Sequence, residues 1–154
     1  MKTIKRRTSS SLTPSRYETF LRSVQLVAMG LARSSSRLDR AEYVRLQREA
    51  EGGNLKFKTD YRLEEVGPQY FEVRGVFALL VEDPKTRKSA LEIEVEYAAH
   101  LHAHPPIDRK LVEQFTRSDL RLILWPFFRE YVFDVTGKMA IRPITVPIST
   151  SGTT

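Results

Sequence analysis

The run LEIEVEY, residues 91–97, alternates apolar and acidic side chains without a break. Successive side chains of a strand point to opposite faces, so Leu91, Ile93, Val95 and Tyr97 must share one face and Glu92, Glu94 and Glu96 the other. Two earlier runs repeat the pattern. In YFEVRGVFALLVE, Phe71, Val73, Phe77, Leu79 and Val81 line one face. In LKFKTDYRL, Leu55, Phe57, Tyr61 and Leu63 oppose Lys56, Lys58 and Arg62. Short turn-forming pieces, EEVGPQ and DPKTRKS, join the three. Period two over three consecutive segments predicts an antiparallel meander, with one face buried and one facing solvent or a partner.

The flanks change character. YETFLRSVQ suits a short helix, residues 24–36 read as a further strand, and AEYVRLQREAEGGN is a short amphipathic segment closed by Gly52-Gly53-Asn54. After Pro105-Pro106 the period becomes helical. IDRKLVEQF is one amphipathic piece, and Thr116 followed by Asp119 resembles a capping box ahead of LRLIL. Pro126 has no N–H to give, so it must open a helix or kink one, and Gly137 supplies the stop. Phe127, Tyr131 and Val135 repeat at four, as do Phe128 and Val132. The two stripes predict two directions: the first toward the sheet or a neighbouring subunit, and the second the opposite way. IRPITVPI reads as a final extended piece, confined to an edge by Pro143 and Pro147. The expected architecture is α+β, an antiparallel sheet with helices packed on one face.

At 154 residues the chain is one domain, able to bury roughly 68–70% of its unfolded surface without staples. Cys is absent, which excludes disulfides, thiolate zinc sites and cysteine nucleophiles and fits a reducing compartment, the cytoplasm. No apolar run is long enough to span a membrane. The net charge of +6 is concentrated at the front. Residues 1–16 carry Lys2, Lys5, Arg6, Arg7 and Arg16 and no acid, leaving 20 of the 25 basic residues against all 19 acids in the remainder. Residues 1–14 therefore read as a solvated basic tail, and 15–150 as a nearly neutral folded domain.

No catalytic constellation is present: the sequence holds no Gly-rich phosphate loop, no nucleophile elbow and no HExxH pattern. A non-enzymatic protein without cofactor or metal is expected. Glu92, Glu94 and Glu96 resemble a metal-binding comb but read as exposed glutamates on a solvent face. His100, His102 and His104 share a face when extended, yet no carboxylate adjoins them in sequence and Pro105-Pro106 ends the run. Arg129-Glu130 reads as a charge pair at a helix interface.

The stretch LILWPFFREYVFDVTGKMAIRPITVPI, residues 122–148, resembles the C-terminal signature of SecB and SecB-like protein-export chaperones. That family carries a helix with an aromatic-Pro-aromatic-x-Arg-Glu core, here Trp125, Pro126, Phe127, Phe128, Arg129 and Glu130. A Thr, a basic residue and a Pro-Leu/Ile-x-Leu/Val piece follow, here Thr136, Lys138 and Pro143 to Val146. The resemblance implies a four-stranded antiparallel sheet with helices on one face, assembled as a dimer of dimers. It also implies an ATP-independent holdase that captures unfolded preproteins or antitoxin-like clients in apolar grooves. The groove residues it suggests are Tyr43, Tyr70, Phe127, Phe128 and Tyr131. Glu92 and Glu94 fall on the strand that docks the translocation ATPase SecA in the export chaperones. Two departures stand out: the chain is basic at its front, and GLARSSSR on the first strand offers no acid. Both give weight to a SecB-like variant role over delivery to SecA; some relatives of the family hold an antitoxin instead. The alternatives are a basic nucleic-acid-binding α+β protein, against which the acids of the sheet face argue, and a small ligand-binding module.

Overall fold

The computed structural model describes residues 13–148. Its elements run α1 (Arg16–Ser23), β1 (Gln25–Leu38), α2 (Arg40–Arg48), β2 (Asn54–Val66), β3 (Tyr70–Glu82), β4 (Ser89–His102), α3 (Arg109–Ser118) and α4 (Leu120–Lys138). The four strands form one antiparallel sheet in the order β1-β4-β3-β2, so the α+β architecture expected from the alternation is the one observed. The meander β2-β3-β4 has short connections. β1 lies at the far edge, beside β4, so the chain must cross the width of the sheet through α2 to begin β2.

Register explains the core. Phe71 pairs with Leu101, Val73 with Ala99, Phe77 with Val95, Leu79 with Ile93 and Val81 with Leu91. Cross-strand partners share a face, so these apolar residues form one continuous surface. All ten are buried, whereas the intervening residues of β3 are only half-buried. Each such Leu, Val or Phe is worth ~1.5–3 kcal/mol on burial. The four helices cover this face. Gly75 lets α4 come close: a Cβ there would sit 2.7 Å from Leu124 Cδ1 and 3.0 Å from the Phe77 ring. At the α1 end, Phe20 enters an aromatic cluster with Phe71 (6.1 Å between ring centroids) and Phe115 (6.4 Å). Tyr17 donates from its hydroxyl to Asp119, and Arg16 pairs with Asp108 at 2.9 Å.

Several expectations at the α3–α4 junction are corrected. Thr116 lies inside α3 and is buried; its Oγ1 donates to the Val112 carbonyl (2.8 Å), not to a cap. Asp119 does cap α4 by position, but its carboxylate is committed to Tyr17 and makes no cap bond. Of the two roles expected of Pro126, opening a helix is not the one observed: α4 runs through it from Leu120 to Lys138. The missing N–H leaves the Leu122 carbonyl without its helical partner, on the outer side where Leu122 and Pro126 are both exposed. The segment IRPITVPI joins no strand of the sheet. The reading of a basic tail falls, but for residues 13 and 14, outside the described residues.

Candidate client-binding surfaces

α4 carries apolar residues all round, and its inner side accounts for only some of them. Leu120, Leu124, Phe128, Val132 and Thr136, spaced at four, form the buried stripe together with Trp125. Phe128 is 0% exposed and stacks on Phe77 with ring centroids 5.3 Å apart. Phe127 is 37% exposed, and Tyr131 and Val135 are half-buried. Phe128–Val132 faces the sheet, so Phe128 does not line an open surface as suggested; of the other stripe Phe127 is exposed, while Tyr131 and Val135 are half-buried against the core. Phe128 belongs to the row from Leu120 to Thr136, which the sheet covers. Beyond Phe127, the outer side presents Leu122 (72% exposed) and Phe133 (53%).

The aromatic-Pro-aromatic-x-Arg-Glu core has a local purpose. After α4 the chain turns at Ala140, which has a positive φ of 54°, and runs back along the helix. Trp125 Nε1 donates to the Pro147 carbonyl (2.7 Å), Arg129 Nε donates to the Val146 carbonyl (2.8 Å), and the Ile144 N–H donates to Thr136 Oγ1 (3.0 Å). Trp125 also meets Phe57 of β2 edge-on at 5.8 Å and carries the Arg121 guanidinium over its ring at 4.8 Å. Arg129 is thus engaged by the returning chain. Glu130 is exposed and makes no ion pair among the described residues, which corrects the expected Arg129–Glu130 pair. Neighbours in sequence on a helix do not face each other. Burial of Tyr97 beneath α4 pushes its hydroxyl up to about 12, with Tyr131 and Glu130 close enough to add to the effect.

The five suggested groove residues do not converge in the protomer. Tyr43 is buried under α2, where burial raises its pKa. Tyr70 lies on the opposite face of the sheet from the helices: its register partner is His102, its ring stacks on His100 (5.1 Å), and its hydroxyl donates to Glu65 (2.8 Å). Phe127, Phe128 and Tyr131 share α4 but look in two directions. The apolar surface that is open lies on the outer side of α4 and along β1, where Leu26 (37%), Val27 (56%) and Leu31 (49%) are exposed. Among the described residues β1 is a 14-residue edge strand, exposed along nearly its whole length, with no strand on its outer side. The signal for it is the apolar run QLVAMGLA ahead of Ser34-Ser35-Ser36, which marks a strand but not an uncovered one.

The open sheet face is a lattice of opposite charges. Arg37 pairs with Glu92 at 2.7 Å, and Arg33 lies 3.5 Å from both Glu94 and Glu96. Glu96 is buried, not exposed as expected: Arg62 (3.2 Å) and Arg74 (3.0 Å) close over it as well. The Arg37 guanidinium holds the Glu92 carboxyl below its ordinary range. His100 Nδ1 lies 3.1 Å from Glu72. Among the described residues no group of three His, Cys, Asp or Glu side chains is placed to hold a metal ion, and no helix is long and apolar enough to cross a membrane.

Known structures share this arrangement. The fold matches that of a SecB-like chaperone of Mycobacterium tuberculosis, Rv1957, solved in complex with a ChAD peptide from the Rv1956 HigA1 antitoxin. The TM-score is 0.62 at 21% identity, over 84% of this chain and 93% of that one. A protein of unknown function from Streptococcus agalactiae matches with a TM-score of 0.50 at 12% identity, over 80% of this chain and 96% of that one. The chain thus has the SecB-like fold. No protein-family model and no curated protein sequence matches it.

Proposed function

We propose that this protein is a SecB-like holdase, a non-enzymatic cytoplasmic chaperone that binds unfolded protein segments on apolar surfaces without nucleotide. The observation that carries this is the combination of a SecB-like fold with open apolar side chains in two places, Leu122, Phe127 and Phe133 on α4 and Leu26, Val27 and Leu31 on the β1 edge. A helix apolar all round belongs in a second interior. A long uncovered edge strand is a site for pairing or a liability. We assign these surfaces jointly to assembly, as a homotetramer built as a dimer of dimers, and to clients.

Magnitudes favour an assembly. A ten-residue extended segment spans roughly 33 Å. Burying about 600 Å² of its apolar area gains roughly 15 kcal/mol, while ordering ten backbone units costs about 10–20 kcal/mol. One segment on one site is close to break-even, so useful affinity needs several linked sites. Among clients, the antitoxin type fits better than delivery to SecA. The acids expected to dock that ATPase, Glu92 and Glu94, are matched by Arg37 and Arg33 across the strand pair, so the face offers a cationic partner little uncompensated charge.

Calorimetric titration tests the proposal. The chain should bind a permanently unfolded variant of a model protein and ignore its folded parent, with the same affinity whether or not ATP is present. Equal binding to both forms, or to neither, would remove the holdase assignment.

A further inference from the structure

The returning segment after α4 is held in an unusual way. Of its three bonds to helix side chains, two are accepted by main-chain carbonyls, of Val146 and Pro147, and the third is donated by a main-chain N–H, of Ile144. The helix side chains that make them, Trp125, Arg129 and Thr136, therefore grip a backbone and do not depend on which side chains it carries. Trp125 and Arg129, one helical turn or about 6 Å apart, reach the carbonyls of consecutive residues, Pro147 and Val146. One side chain alone is deeply enclosed: Val146, 1% exposed, whereas Pro143, Thr145, Pro147 and Ile148 face outward. The channel is also wider than its occupant. Clefts of about 280 Å³, lined by Pro126, Arg129, Phe133 and Val146, and about 470 Å³, lined by Phe133, Asp134, Gly137 and Pro143, open beside the segment.

An extended apolar stretch, held through its backbone, with one β-branched side chain in a pocket, is the chemistry of an unfolded client. We infer that the channel along Trp125, Arg129 and Thr136 is a client site, and that residues 141–148 occupy it in the resting protomer as an internal competitor. The inference rests on the holdase assignment and adds to it a place and a means of regulation. The occupant is an extended segment of an unfolded protein with a Val or Ile set between residues that need no inward N–H. Pro143 and Pro147 have no N–H to leave unpaired, which lets the segment lie along a helix instead of joining the sheet. Because the site is open only in the fraction of molecules whose segment has left, client affinity is reduced by that fraction. Loosening the segment must therefore tighten binding.

The test uses the full chain and a fluorescent synthetic peptide of residues 140–148 added in trans, read by anisotropy. Val146→Asp puts an unpaired carboxylate into an enclosed apolar pocket and should expel the internal segment. Peptide affinity should rise roughly tenfold or more over the parent chain, the factor that ~1.4 kcal/mol represents. Adding Arg129→Met to that variant should abolish the gain. Should Val146→Asp fail to fold by circular dichroism, Ile144→Pro removes the internal bond to Thr136 while leaving the added peptide's own N–H intact, and it should also tighten binding. A folded variant that binds no more tightly than the parent, or a gain that survives Arg129→Met, overturns the inference. Aggregation suppression by the parent is measured alongside. Its absence would remove the holdase assignment, and unchanged peptide binding with suppression intact would remove only the channel.

Discussion

Phe127 and Phe128 are neighbours in sequence, yet one is 37% exposed and the other 0%. Helix geometry turns adjacent residues about 100° apart, so a sheet on one side separates their fates. Phe128→Ala should cost ~3–5 kcal/mol, because the Phe77 and Trp125 rings around it cannot collapse into the void. Phe127→Ala should change protomer stability far less. Denaturant titrations of the two variants decide it, and equal losses would contradict the assignment of inner and outer stripes. Both stripes are legible in the sequence; which one faces inward is not, because two rows at spacing four are equivalent until something covers one of them. The rows Ile123-Phe127-Tyr131-Val135 and Leu120-Leu124-Phe128-Val132 carry four apolar residues each, so length does not separate them. Arg129 shows a different limit. Its partner is a main-chain carbonyl 17 residues away, and no pattern of side chains announces a bond of that kind.

Among the elements, the meander is the most legible because its information is local: alternation sets the face and short turns set the pairing. The placement of β1 beside β4 is a long-range choice and was read only as a strand. IRPITVPI has strand-like alternation, but its prolines withhold donors and α4 supplies the partners, so the same letters describe a segment on a helix. The β3–β4 turn illustrates electrostatics at this scale. Asp83 accepts from the Lys85 N–H (2.7 Å), from Arg45 of α2 and from the Thr86 N–H (3.2 Å). These bonds hold its carboxyl down at about 2. The folded group binds a proton less readily than the unfolded one, near 3.9. Its stabilising effect is therefore complete above about pH 4 and is lost as pH falls toward 2. Asp83→Asn should melt at a lower temperature than the parent at neutral pH, and the difference should narrow on acidification. A difference constant down to about pH 2.5 would show that the turn does not depend on the ionised carboxylate.

At the scale of the whole molecule, the described residues expose clusters of large apolar side chains on α4 and on β1. Multi-angle light scattering should give a tetramer. Replacing Leu122 and Phe133 together by Glu should produce smaller species without unfolding the sheet, since neither side chain belongs to the protomer core. A stable monomer of 17.8 kDa from the unaltered chain would contradict the assembly. The central claim, that these surfaces hold unfolded proteins, is tested most directly by diluting a chemically denatured model protein into buffer with the chain present and following light scattering without nucleotide. The account predicts that scattering is suppressed in proportion to added chain and saturates near one client per assembly. Undiminished scattering in the presence of a large molar excess of correctly folded chain would contradict it.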